Sequence, residues 1–226
     1  MNQRNVSIDE VKLSFSGLDT DKGLIGIRDL TKALNGWLVF WETSTAAFIN
    51  KELSTKPIPE DSRPKIKIRA FEHNSFDVLT DIYIPLTLVA GVGIVKSLWK
   101  WLRLLLKRQI DTKKALMTRE DAIEALIKLA KESDISITNT IETVRFIDVI
   151  DDALNNLVEP INRSAKKIVI ESKITKTEIH LGPADKLALR SGYHIDPALR
   201  AKGLEKHSVK FIRINTETGN ALITFD

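Results

Sequence analysis

The segment Ile82–Ile110 reads IYIPLTLVAGVGIVKSLWKWLRLLLKRQI, and the rest of the chain has to be arranged around it. From Ile82 to Val95 it carries no charge; beyond that it carries Lys96, Lys100, Arg103 and Lys107. At about 100° per residue the four cations fall within an arc of roughly 60° on one helix face. Trp99 and Leu104 flank that arc, while Leu98, Trp101, Leu102 and Leu105 lie on the other side. The pattern predicts a long apolar helix with a narrow basic stripe, running from about Leu86 to Lys107. Such a helix lies on a membrane, docks into a partner, or fills a core while its cations reach water.

Outward from this segment the chain alternates hairpins and helices. KIKIRAFE and FDVLTDIYI, on either side of His73–Ser75, predict a hairpin that feeds into Pro85, a favourable first-turn residue for the long helix. Further upstream, Val11, Leu13 and Phe15 alternate with Lys12, Ser14 and Ser16, a half-buried strand. After the turn-rich GLDTDKG, Leu24, Ile25 and Ile27 suggest its hairpin partner. Asp29 then caps a helix running to about Lys51, with Leu30, Leu34, Trp37, Trp41 and Phe48 on its apolar face. Downstream, Asp111–Lys114 reads as a polar break. Thr118 with Glu120 and Asp121 opens a helix facing inward through Ala122, Leu126 and Leu129. Ile141 to Leu157 repeats its apolar residues at three and four, with Asp148, Asp151 and Asp152 on the polar side. KKIVIES and TKTEIHL form a hairpin, Pro183–Arg190 a short helix, and Lys210–Ile214 with Ala221–Phe225 a last pair of strands.

The fold expected is α+β: three β-hairpins interleaved with long amphipathic helices, not a parallel α/β sheet. A loose division gives an N-terminal hairpin–helix–hairpin unit (1–84), a central helical part (85–160) and a β-rich C-terminal part (161–226). The last strand runs to Asp226, which leaves open whether the chain continues.

Composition narrows the functions. At 226 residues and 43% hydrophobic content the chain builds an ordinary core. With no cysteine it has no disulfide, thiolate nucleophile or cysteine-held metal. The charge of +4 and a pI near 9.2 are only mildly basic, with acids and bases well mixed. The polar start MNQRNVSIDEV lacks the apolar core of a secretion signal. A transmembrane reading of the long helix meets Lys96, Lys100 and Arg103, each costing about 2.5–3.5 kcal/mol at mid-bilayer. A cytoplasmic protein is expected, with a place at the inner-membrane surface as the variant.

Four chemical patterns stand in the sequence. Asp19, Asp21 and Asp29 evoke a calcium loop, but the glycine comes one position early and an alternating strand precedes it. Glu171-x-Lys173 on a strand, with Asp152 upstream, evokes a metal-dependent nuclease in which acids hold Mg²⁺ and the lysine activates water. Yet Asp151 and Asp152 sit inside a helical pattern. His73, His180, His194 and His207 show no metal-ligand spacing, although His180 and His194 could converge with Asp185 or Asp196. Lys65, Lys67 and Arg69, with the Lys96–Arg108 strip, offer cations to a nucleic acid, but no recognition motif accompanies them. No P-loop, G-x-S-x-G or complete G-x-G-x-x-G is present, so no cofactor is called for.

The opening VKLSFSGLDTDKGLIGIRDLTKALNGW resembles the start of an uncharacterised group of bacterial and phage proteins: a strand ending in FSG, a turn, then a helix opening with Asp-Leu and Ala-Leu pairs. IKIRAFEHNSFDVLTDIYI and RINTETGNALITFD are similar to it in layout. The resemblance implies an association with mobile or antiviral-defence genes and no catalytic residue.

The expectation is therefore a binding or assembly protein in preference to an enzyme, joining itself or a protein partner through the helices Leu86–Lys107 and Ile141–Leu157. Leu98, Trp99, Trp101, Leu102 and Leu105 would anchor the contact, and Lys96, Lys100, Arg103 and Lys107 would steer an acidic partner or anionic lipid. The competing classes are a nuclease using Asp152, Glu171 and Lys173, and a membrane-acting protein using the long helix.

Overall fold

The computed structural model describes residues 5–22, 24–56, 65–72, 76–85, 92–137, 139–193, 209–214 and 221–225. The fold is α+β. Its organising strand is β1 (Asn5–Ser16), which pairs antiparallel with β3 (Phe76–Pro85) on one side and with β4 (Lys167–Ser172) on the other. β2 (Lys65–Glu72) and β5 (Glu178–Leu181) complete an antiparallel sheet in the order β2-β3-β1-β4-β5. A separate hairpin joins β6 (Val209–Ile214) to β7 (Ala221–Phe225). Of the hairpins expected, β2-β3 and β4-β5 are formed, as is the last pair β6-β7, while the one that would join Val11–Phe15 to Leu24–Ile27 is not.

Period-two alternation gives the sheet one dry face. Val11, Leu13 and Phe15 point into the core with Val78, Ile82, Ile168, Ile170, Ile179 and Leu181. The long helices pack there: α1 (Ile27–Asn50), α2 (Val92–Lys114) and α4 (Thr140–Leu157), joined by α3 (Arg119–Glu132) and α5 (Pro183–Arg190). The core between sheet and helices is tryptophan-rich. Trp37 and Trp41 of α1 close on Trp99 of α2 at ring-centroid distances of 6.3 and 5.5 Å. The Trp101 indole N–H donates to Ser44 O at 3.0 Å, fixing α2 on α1.

Local sequence sets the helix starts. Thr118 Oγ1 accepts from Asp121 N, and Asp121 returns a carboxylate to Thr118 N, a capping box. Asn139 Oδ1 accepts from Ile141 N at 2.8 Å and opens α4.

Several expectations are corrected. Leu24–Ile27 is not a strand: Leu24 and Ile27 are 60% and 83% exposed. Both edges of β1 are already taken by β3 and β4, so a strand there would have no ladder to join. Gly17 (φ 86°) and Leu18 (φ 55°) instead turn the chain into a short 3-10 turn, Leu18–Lys22, closed by Gly17 N donating to Asp21 Oδ1. Asp29 lies inside the first turn of α1, which Gly26 precedes. Pro85 does not stand in the first turn of the long helix: it ends β3, where Asn5↔Pro85 and Val6↔Ile84 carry the ladder. α2 is described from Val92, and the start expected at Leu86 lies outside the described residues. Asp111–Lys114 is not a break but the last turn of α2. Finally, the expected division at 84/85 and 160/161 does not separate cores: among the described residues β4 and β5 share a sheet with β1–β3, and residues from all three parts, up to Leu189, share one core.

Helices α1 and α4 meet at Gly36, where a Cβ would overlap the backbone atoms Ala153 O and Leu157 N. Backbone cannot swing aside. Alanine gains about 1 kcal/mol over glycine in a helix interior, yet Gly36→Ala is expected to lose about 1–3 kcal/mol by overpacking. The urea midpoint reports it; an unchanged or raised midpoint would contradict this packing.

Candidate functional site

The side chains of α2 divide into two sets. Leu98, Trp99, Trp101, Leu102 and Leu105 are each no more than 1% exposed. The five expected anchors are therefore spent inside the chain, and the correction has a plain cause: the dry sheet face and α1 needed a cover, and the apolar side of α2 supplies it. Trp99 is held further by its indole N–H, which donates to the buried Asp9 carboxylate at 2.6 Å. Ser172 Oγ, Glu10 N and Ile174 N donate to the same carboxylate at 2.6, 2.8 and 3.1 Å.

The second set is Lys96, Lys100, Arg103 and Lys107, all exposed. Spaced over eleven residues, they form a ridge about 16 Å long at 1.5 Å per residue. Among the described residues none of the four is ion-paired. Several cations elsewhere do have partners: Lys12 meets Asp77 at 2.5 Å, Lys114 meets Asp185 at 2.7 Å, and Arg119 meets Asp148 at 2.5 Å.

A cleft of about 680 Å³ opens beside the ridge, with Ser97, Lys100, Trp101 and Leu104 as its α2 wall. Phe48, Ile49 and Lys51 come from the end of α1, and Glu132, Ser133 and Asp134 from the end of α3. The walls are stitched together. Ser136 N and Oγ both donate to Lys51 O, at 2.7 and 2.6 Å, and Leu53 N donates to Ser136 O at 2.9 Å. Lys51 Nζ lies 4.6 Å from the Phe48 ring centroid. Glu132 and Asp134, beside the negative end of α3, have no ion-pair partner among the described residues.

A buried polar cluster escaped the sequence reading. Asp151, assigned above to the polar side of its helix, is only 9% exposed. Lys113 Nζ sits 3.1 Å from Asp151 Oδ2, and Tyr193 OH donates to the same oxygen at 2.7 Å. Lys113 also donates to Leu189 O at 3.1 Å, tying α5 to α2 and α4. Burial pushes the Asp151 carboxyl above the usual aspartate range, against the pull of Lys113 and Tyr193. The Tyr193 phenol is pushed up as well, first by burial and then by the Asp151 charge. A second network surrounds the buried Glu159, which meets Lys32 at 3.3 Å, Arg163 at 3.1 Å, and Arg190. Glu142 is held below the ordinary glutamate range, chiefly by the Thr55 backbone N–H, which donates to it at 3.3 Å.

The nuclease constellation is not assembled. Glu171 stands opposite Lys12 in the β1-β4 register, on the sheet face away from the helices, whereas Asp152 lies on α4, on the helical side. Lys173 pairs with Glu10 at 3.4 Å. The calcium reading separates too: Asp21 closes the turn at Gly17, and Asp29 accepts from Ser164 Oγ at 2.7 Å. Among the described residues no group of three or more His, Asp or Glu side chains is placed to hold a metal ion. His180 is exposed, 3.0 Å from Glu178. His73, His194, Asp196 and His207 lie outside the described residues, and the side chains of Lys65, Lys67 and Arg69 are not among those described. Among the described residues no helix is long and apolar enough to cross a membrane.

These features define an α+β domain with one helix-covered sheet face and a charged, cleft-bordered surface on α2. The chain belongs to a domain family of unknown function, DUF7946, which it matches over residues 11–190; the β6-β7 hairpin lies beyond that match. No curated protein and no solved structure matches it.

Lys113→Met would leave the Asp151 carboxylate buried without its cation, and breaking such a pair costs about 3–5 kcal/mol at neutral pH. Asp151 then titrates higher still, so protonation relieves the variant. Its deficit against the parent is expected to shrink as pH falls through the raised Asp151 pKa. Chemical denaturation at several pH values reads this. A deficit constant with pH would show that Lys113 acts by packing alone.

Proposed function

We propose that this protein is a non-catalytic binding module that joins an acidic protein partner through the exposed face of α2. The observation that carries the reading is the ridge of Lys96, Lys100, Arg103 and Lys107: four exposed cations in register, without ion-pair partners among the described residues, on a helix whose opposite face is locked into the core. A helix fixed in this way presents its charges without a cost of ordering its backbone on binding. Unmatched like charges repel one another, and an acidic surface relieves that repulsion while steering the encounter. The adjoining cleft argues for a protein over a polyphosphate, since it offers the apolar side chains Phe48, Ile49 and Leu104, which a phosphate backbone cannot use. It argues against insertion into lipid as well: Trp99 and Trp101, the side chains that would enter the interface, are buried. The resemblance to proteins that accompany mobile and defence genes adds a setting, that of an accessory subunit, and no chemistry. Self-association is the case in which the acidic partner is a second copy.

Polyglutamate binding is the direct test, with duplex DNA and phosphatidylserine vesicles as competitors. The protein is expected to bind polyglutamate at low salt, to release it as salt rises, and to lose it in the double variant Lys100→Glu with Arg103→Glu. Tighter binding to DNA or to the vesicles, or retention of polyglutamate by the double variant, would contradict the proposal. Light scattering identifies a self-partner: a mass above the 25.4 kDa of one chain that falls to one chain in the same variant.

A further inference from the structure

The ridge and the cleft are one continuous surface. Lys100 belongs to both, and Leu104, one helical turn further on, is 37% exposed at the cleft wall. The charged lining of the cleft is Lys100 on α2, at the edge of the ridge, and Lys51 after α1, with Glu132 and Asp134 at the end of α3. Its accessible apolar lining is Phe48, Ile49 and Leu104. An occupant matching all three zones needs carboxylates on one side, a large apolar side chain in the middle, and a basic or neutral group on the other.

We infer that the cleft is a specificity pocket for an acidic amphipathic peptide segment of the partner, which inserts one large aliphatic or aromatic side chain onto Phe48, Ile49 and Leu104 while its carboxylates meet the ridge. This rests on the proposed binding role of α2 and names the chemistry that the same surface selects. The argument is charge complementarity. A uniformly acidic chain can lie along the ridge but gains nothing in the cleft, where Glu132 and Asp134 repel it, and a uniformly basic one is repelled by the ridge. A segment acidic on one flank only is accepted, and in one direction. The volume of about 680 Å³ suits a single bulky side chain and its neighbours. The pocket is preformed, because Ser136 joins α3 to the end of α1 and Trp101 joins α2 to Ser44. An apolar anchor in a preformed pocket, ringed by charges, is the arrangement in which a few residues carry most of the binding energy.

Selection of a random peptide library against the intact protein tests this without knowledge of the partner. Enriched peptides are expected to carry several Asp or Glu within one or two helical turns of a single large apolar residue. Alanine at that apolar residue, Leu104→Asp in the protein, and Lys100→Glu in the protein should each weaken binding about tenfold or more, the loss of one central contact. Leu104 and Lys100 are exposed, and an unchanged thermal midpoint in each variant separates loss of binding from loss of fold. Acidic peptides that lose affinity with Lys100→Glu but ignore Leu104→Asp and their own apolar residue would overturn the pocket and leave the ridge standing. Basic peptides, or no enrichment at all, would overturn both.

Discussion

The structure depends on one buried carboxylate. Asp9 sits on the core face of the central strand, where the alternation of β1 calls for an apolar residue, and it is 3% exposed. An ion taken out of water costs several kcal/mol unless its oxygens are occupied. Here three of the four donors come from elements that have to be in place first. Trp99 brings α2, Ser172 and Ile174 bring β4 and the turn after it, and Glu10 is the next residue of β1 itself. Charge-assisted bonds of this kind contribute about 1.5–3 kcal/mol each. Asp9 is thus tolerable only when sheet and helix are docked in one register, which makes it a device for specifying that docking.

The docking settles which face of α2 is available. Once Trp99 donates to Asp9 and Trp101 to Ser44, the helix cannot rotate, and its apolar side is committed to Trp37, Trp41 and the sheet. The cations at 96, 100, 103 and 107 are then fixed outward. Some buried charge is paired instead: Lys113, Glu159 and Asp151 are buried and each has a partner of opposite sign. A row of four outward cations, held in place by the buried face of the same helix, is what gives the α2 surface its functional reading.

Much of the fold was legible in the sequence. Period-two runs located β2 through β7, and Thr118 and the apolar repeat of 147, 150, 154 and 157 located α3 and α4. What failed had common physical causes. Pattern alone assigned Leu24–Ile27 to a strand, but strands need a free edge, and tertiary pairing had filled both edges of β1. Pro85 is compatible with a helix start and with a strand end, and pairing to Val6 and Asn5 chose the strand. The polar letters DTKK suggested a break, because nothing local shows that Lys113 is drawn inward by Asp151, thirty-eight residues away in sequence. As for the site, the stripe of four cations was legible from helical spacing. The fate of the five apolar residues was not, since a partner-facing stripe and a core-facing stripe have the same periodicity. The cleft could not be seen at all, because its walls come from three helices whose ends meet only in the fold. The single clue to the core reading was Asp9, an acid on the dry side of an alternating strand.

The central claim is that the apolar face of α2 belongs to the protein's own core. All four tryptophans of the chain are no more than 1% exposed, so their combined fluorescence reports that claim directly. Iodide and acrylamide quenching of the native protein is the measurement. The account predicts blue-shifted emission that iodide leaves untouched and acrylamide reaches slowly, with full quenching only after denaturation. Native emission at the wavelength of water-exposed indole, with an iodide-accessible fraction of about half, the contribution of Trp99 and Trp101 among four comparable emitters, would show that α2 stands free of the core and would contradict the account.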